Sequence, residues 1–351
     1  MPGTDGTQSE LKNALREKVH VPQLSGLDEM GDRHPLPVVA VRHISTELSH
    51  WNFLTIPAPL LEVVGIALAI ILGFKNQECF NRVREALQVW EQIDSASIVL
   101  ANKLAATLGV PESEEASVLR RFFYRHFAWL TVLRFNLRET KTWENIHEPG
   151  NKKFLADLPT PESRSVLNDE LAKCLSAADL QKVVTHRGDK ATLILEWQYR
   201  ALGDLFSKKV FPVNLFIDLM KVLDDLVRCQ AAAQRIKYYP YGRNYYSIAI
   251  ILVKAFVGIV PFALFPFAVD AGKSTGIEHW TVWLNVPFSV FVGWIFVTLE
   301  KVGENSSNPF EGGPNDVPIS FLARQIEIEM RLMIGENTEL KPLEPKYDIL
   351  F

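Results

Sequence analysis

LAIILGFKNQECFNRVREALQVWEQ, residues 68–92, starts as an apolar run suited to lipid and ends as a polar helix carrying Lys75, Arg82, Arg84 and Glu85. Neither a Pro nor a Ser/Asn loop separates the halves at Gly73-Phe74, so the pattern predicts one helix that leaves a membrane and continues into water. Upstream, the run from Leu54 to Phe74 holds a single charge, Glu62. Such a run also suits a buried helix of a large soluble protein, so other stretches must decide.

Two further runs decide it. From Ser247 the chain reads SIAIILVKAFVGIVPFALFPFAVDAG, with Lys254 as its one charge before Asp270. From Trp280 it reads WTVWLNVPFSVFVGWIFVTLE, uncharged until Glu300. Each is long enough to cross a hydrocarbon core of about 30 Å as a helix. Interior Pro261, Pro266 and Pro287 argue less against membrane helices than against soluble ones. Trp280, Trp283 and Trp294 suit a membrane interface. The link AGKSTGIEH is short, so residues 247–300 are expected to form a transmembrane hairpin.

The average composition conceals this pattern: 351 residues, 48% hydrophobic, 22% charged and a net charge of −4 describe a globular chain and give no sign of nucleic-acid binding. Cys79, Cys174 and Cys229 lie too far apart for a metal-ligand spacing or a disulfide framework. The N-terminus MPGTDGTQSELKNALREKV lacks the basic and apolar regions of a signal peptide. Five segments are expected: a polar N-terminal segment 1–51, a membrane helix 52–74, a polar helical region 75–246, the hairpin 247–300 and a C-terminal segment 301–351.

Within residues 75–246 several amphipathic helices follow one another. NRVREALQVWEQIDSASIVLANKLAATLG stops at Gly109, ahead of Pro111. VLRRFFYRHFAWLTVLRFNLRET is basic on one side and aromatic on the other. Pro149-Gly150, Pro159 and Pro161 give residues 142–165 the character of a loop. Ser176 is placed to cap a short helix in SAADLQKVVTHRG. ATLILEWQYRALGDLF and VNLFIDLMKVLDDLVRCQAAAQRI complete the set. No alternating strand pattern occurs, so an all-α membrane fold is expected. The Lys/Arg-rich region 75–246 and the C-terminal segment are expected in the cytoplasm, because the hairpin link carries only Lys273.

GFKNQECFNRVREALQVW resembles the bestrophin signature at Gly73, Phe74, Asn76, Arg82, Glu85, Ala86 and Trp90. Val83-Arg84 stands where that signature has a double Trp. ENSSNPFEGGPNDVPISFLARQIEIEMRLMIGE is similar to the family's Asn-Pro-Phe segment, and Pro314-Asn315-Asp316 with Pro318 resembles its bacterial branch. The stretch around Arg235-Ile236 and Pro240 is similar to the approach to the third membrane helix. The resemblance covers about residues 52–337. It implies a homopentameric ion channel in a membrane, here a bacterial cell (inner) membrane, with lipid and small inorganic ions as its surroundings and no cofactor. It also implies an earlier membrane helix. GDRHPLPVVAVRHISTELSHW holds no apolar run of 18 residues, so that helix is expected to be missing or replaced.

Ile66, Ile70 and Phe74 recur at i, i+4 and i+8 and span about 12 Å of helix axis. Five copies around an axis would stack three apolar rings, a constriction that gates by dewetting, and the resemblance implies the same pore neck. The residues would equally serve packing against helices or lipid. Glu62 lies one turn earlier; an ionisable group in a span points to function, and a ring of five would favour cations. Interfacial solvation or pairing with Lys254 are its alternatives. The resemblance also implies a cytosolic aperture, with Val213, Leu215 and Phe216 as candidates. Anion (chloride) and cation (sodium) passage both remain open, with a lean to cation.

Nothing suggests an enzyme: the sequence has no phosphate loop, nucleophile elbow or helical metal-binding His pair. His34, His43 and His50 are expected to be solvated. After Asn308-Pro309-Phe310 only Glu311 and Asp316 are acidic, too few for the calcium clasp of eukaryotic relatives, and no metal is expected. The alternative reading is a non-conducting membrane scaffold that binds a partner through its cytosolic helices; a membrane-bound helical enzyme ranks last.

Overall fold

The computed structural model describes residues 56–108, 114–145, 148–239, 243–275, 278–336, 340–347 and 349–350. The expected N-terminal segment, with His34, His43 and His50 and the question of an earlier membrane helix, lies outside them. Among the described residues there are eleven helices and no strand, only an isolated bridge between Lys346 and Ile349.

The opening stretch is one helix, α1, Ala58–Leu108, 51 residues long and therefore about 75 Å. One buried stripe unites its greasy and charged halves. Leu68, Ala86 and Leu104 are all buried and stand eighteen residues apart, as do Leu72, Trp90 and Leu108. Eighteen residues are five turns at 3.6 residues each, so these side chains share one straight face. Lys75, Cys79, Ile93 and Ser97 fill the same stripe and are buried too. The two halves differ only on their other faces.

α2 (Glu114–Arg138), α7 (Lys190–Ser207) and α8 (Val213–Tyr238) build the main core, with α7 packed on both α2 and α8. Trp90 and Trp129 are fully buried there, and Trp129 Nε1 donates to Gln230 Oε1 at 2.8 Å. Asp189 caps α7 by accepting from the Ala191 N–H at 3.1 Å. Ser176 caps α6 (Ala177–Thr185), accepting from the Asp179 N–H as the sequence predicts.

Residues 142–165 depart from the loop reading. They contain α3 (Pro149–Asp157) and α4 (Pro161–Arg164), followed by α5 (Leu167–Ala172). Pro149 and Pro161 start these helices, at positions where a proline's missing N–H costs nothing. Thr160 caps α4 through Ser163 N.

α9 (Arg243–Thr275) runs through Pro261 and Pro266, and α10 (Glu278–Asn305) through Pro287. Much of the expected AGKSTGIEH link is thus helical. α11 (Ile319–Met333) closes the chain's helical part. Among the described residues, three helices are long and apolar enough to cross a membrane, over Pro59–Leu108, Ser247–Ala271 and Trp283–Asn305. The chain divides into two units. Residues 261–289 belong to one, in which Asn285 Nδ2 donates to the Pro261 carbonyl at 3.0 Å. Residues 59–260 with 290–351 form the other.

Candidate pore-lining site

At about 100° per residue, Ile66, Ile70 and Phe74 fall on the side of α1 opposite its buried stripe. They are 56%, 53% and 71% exposed in the single chain, against 2% and 1% for Leu68 and Leu72. Each step of four residues drifts about 40° on a straight helix, so Glu62 to Phe74 sweep a broad arc rather than one line. Glu62 is exposed. Lys254 is exposed as well, and no ion pair joins the two among the described residues.

The stripe side is fixed to its neighbours immediately below Phe74. Lys75 Nζ donates to Glu300 Oε1 at 2.8 Å, with the two side chains 3% and 7% exposed. Asn76 Nδ2 donates to the Leu299 carbonyl at 2.9 Å. A Cβ on Gly303 would stand 2.0 Å from Asn76 Oδ1, so any larger residue there would have to displace the Asn76 side chain. Higher up, a Cβ on Gly65 would stand 3.3 Å from the Phe256 ring. α1 is therefore held in one rotation by polar and steric contacts on its buried face, and the Ile66–Ile70–Phe74 side is left exposed among the described residues.

The signature residues converge on the next turns. Arg82 donates to the carbonyls of Ser307 at 3.0 Å and Ile236 at 2.8 Å, joining α1 to the end of α8 and to the segment after α10. Glu85 pairs with Arg235. Ala86, Trp90 and Phe310 are buried. Asp316 accepts from Arg138 at 3.3 Å and from the Gly312 N–H at 2.5 Å; Gly312, at φ +97°, takes a conformation that L side chains rarely adopt. Burial pushes the Asp316 carboxyl up to about 6 and that of Glu311 up to about 8, despite the N–H that Asn145 donates to Glu311 at 3.0 Å. Lys237 pairs with Glu144 in the same buried region. The ion pairs Lys75–Glu300, Lys237–Glu144 and Arg134–Glu162 join residues 28 to 225 positions apart. No local sequence spacing signals them.

Of the aperture candidates, Val213 stands at the first turn of α8 and is 53% exposed. Leu215 and Phe216 pack against the core, Phe216 stacked on Phe206 with ring centroids 4.3 Å apart. The buried pair Ser97 and His126 has no catalytic geometry. Ser97 Oγ donates to the Ile93 carbonyl at 2.6 Å and so accepts from His126 Nε2 at 2.8 Å, and burial lowers His126 to about 3.

A helical fold whose described residues include three helices long and apolar enough to cross a membrane is that of an integral membrane protein. The family profile described as "Bacterial/Fungal Bestrophin protein" matches residues 36–332, and the chain belongs to that family. It is 30% identical over 284 residues to the Voltage-dependent anion channel-forming protein YneE of Escherichia coli (strain K12), covering 79% of this chain and 77% of that one. The protein of the same name from Salmonella typhi is 28% identical, over 78% of this chain and 76% of its own. A crystal structure of a bacterial bestrophin homolog from Klebsiella pneumoniae shares the fold, with a TM-score of 0.67 and 20% identity, over 84% of this chain and 94% of that chain.

Proposed function

We propose that five copies of this chain surround one pore in a bacterial inner membrane and pass small monovalent ions through a neck formed by Ile66, Ile70 and Phe74. The observation that carries this reading is the two-sided character of α1. One face is buried from Leu68 to Leu108, and the opposite face leaves Ile66, Ile70 and Phe74 exposed among the described residues. Stacked apolar rings resist wetting and hold ions back until the constriction widens. Glu62 stands at the outer approach to that neck, and Val213 is the aperture candidate whose side chain is free to face an axis. The cytosolic helices then extend the pore inward, with residues 75–246 and the C-terminal segment on the cytoplasmic side.

A second reading concerns the sign of the ion. The relatives are named as anion channel-forming proteins, which favours chloride, whereas a Glu62 ring favours cations. Liposome flux tests the core of the proposal. Replacing Ile66, Ile70 and Phe74 together by Ala is expected to raise ion flux while native mass measurement in mild detergent still finds a pentamer. Unchanged flux in an intact pentamer overturns the neck. A stable monomer or dimer, or a pentamer that never conducts, overturns the pore and leaves a membrane scaffold.

A further inference from the structure

The basic side of α2 faces an open cavity of about 370 Å³ between α2, α6 and α7, lined by Arg121, Arg125, Lys182, Arg200 and Lys208. Two acids, Asp179 and Asp204, share the wall. Asp179 is already engaged: Arg125 reaches it at 3.3 Å and Lys182 at 3.2 Å. Burial works against its charge, yet those two hydrogen bonds hold its carboxyl below the usual carboxylate range. Arg200 is taken by Glu196 on its own helix. Arg121 and Lys208 form no ion pair among the described residues, although both stand on the cavity wall. Trp197 supports the floor, with Arg125 and Lys182 at 5.5 and 5.9 Å from its ring. A second open cavity continues past Arg120, Arg121 and Arg125, so the positive surface extends beyond the first.

We propose that this cavity is a binding site for a soluble small anion carrying two or more charges, of pyrophosphate size or larger. The cations outnumber the acids on the wall by three, and two of them lack a counter-charge. Arg121 brings a planar fork suited to phosphate or carboxylate oxygens, and Lys208 a mobile point charge across the cavity. A monovalent halide could satisfy only one of them. A lipid headgroup is out of reach. The contact between His126 and Ser97 places this part of α2 beside the distal half of α1, and Ser97 lies about 35 Å along the helix beyond Phe74 at 1.5 Å per residue. The site is separate from the proposed neck and does not depend on it.

Inorganic pyrophosphate is the probe, titrated by calorimetry into the intact full-length oligomer in detergent at about 0.1 M salt, where charges further apart than about 10 Å are screened. Saturable binding is expected, weakened at least ~10-fold by Arg121→Gln combined with Lys208→Gln, a loss of about 1.4 kcal/mol or more. Both residues are exposed, so the double variant should keep the wild-type melting temperature and oligomer mass. Arg84→Gln with Arg228→Gln removes two exposed cations outside the cavity and should leave binding unchanged. No saturable binding, or equal weakening by the two double variants, overturns the site. The readout is binding rather than conduction, so a failed neck experiment leaves this result intact, and the reverse holds.

Discussion

Lys75→Met isolates what holds α1 just beyond Phe74. The ammonium of Lys75 lies 2.8 Å from Glu300 Oε1, with both side chains almost wholly buried. Met keeps the length of the aliphatic stem and removes the charge, so the Glu300 carboxylate loses its counter-ion in a site that water does not reach. Removing one partner of a buried ion pair costs about 3–5 kcal/mol. For a chain of this size each kcal/mol lowers a melting temperature by about 2 °C, so the melting temperature should fall by about 6–10 °C. Replacing both members, Lys75→Met with Glu300→Met, removes the stranded charge and should return the chain to within a few degrees of the starting value, because an apolar pair of similar volume substitutes well for a buried ion pair. Intrinsic tryptophan fluorescence during heating of the detergent-solubilised protein gives the three melting temperatures. If the single and double variants fall by the same amount, the stranded carboxylate is not the cause and the pair does not act as argued.

Glu62→Gln should lower the sodium-to-chloride permeability ratio measured from reversal potentials in asymmetric NaCl; an unchanged ratio in a conducting pentamer removes Glu62 from selectivity. Glu311 and Asp316 should make the fold lose stability as pH rises. Burial lifts Glu311 from its ordinary 4.5 to about 8 and Asp316 from 3.8 to about 6. Between those values the folded chain holds protons that the unfolded chain has released, so the stabilisation is complete below the ordinary values and is lost as pH climbs through the folded ones. Glu311→Gln, which cannot ionise, should therefore flatten the fall in melting temperature between pH 5 and pH 8, and a wild-type slope in that variant would contradict the argument.

Local periodicity carried much of the fold into the sequence. α1 could be read as one rod because nothing between Leu68 and Gln92 breaks a helix, and the Ser176 cap could be read because capping depends on a side chain and an N–H three residues away. Pro149 and Pro161 misled for a related reason: a proline that would break a helix interior also suits a first turn, and only the backbone around it distinguishes the two. The exposed face at Ile66, Ile70 and Phe74 was visible as a spacing, but the spacing alone could not say which face of α1 is buried. That is set by Glu300, Leu299 and Gly303, more than two hundred residues downstream. The signature positions Arg82, Glu85 and Trp90 stood out by resemblance. Their work of clasping the Ile236 and Ser307 carbonyls, pairing with Arg235 and filling the core becomes visible only once the ends of α8 and α10 arrive beside them.

The straight stripe along α1 also limits how a gene encoding this chain can change length. One residue inserted between Cys79 and Ala86 would turn everything beyond it by about 100°, carrying Trp90 out of the core while Leu68 and Leu72 stay in place. Two or three residues would do comparable damage, and a whole turn of four still leaves an error of about 40° and shifts everything beyond it about 6 Å along the axis. Loops tolerate insertions and deletions because their backbone can bulge; this helix has no such slack between Leu68 and Leu108, where any insertion resets the rotation of the exposed Ile66–Ile70–Phe74 side against the buried stripe beyond it.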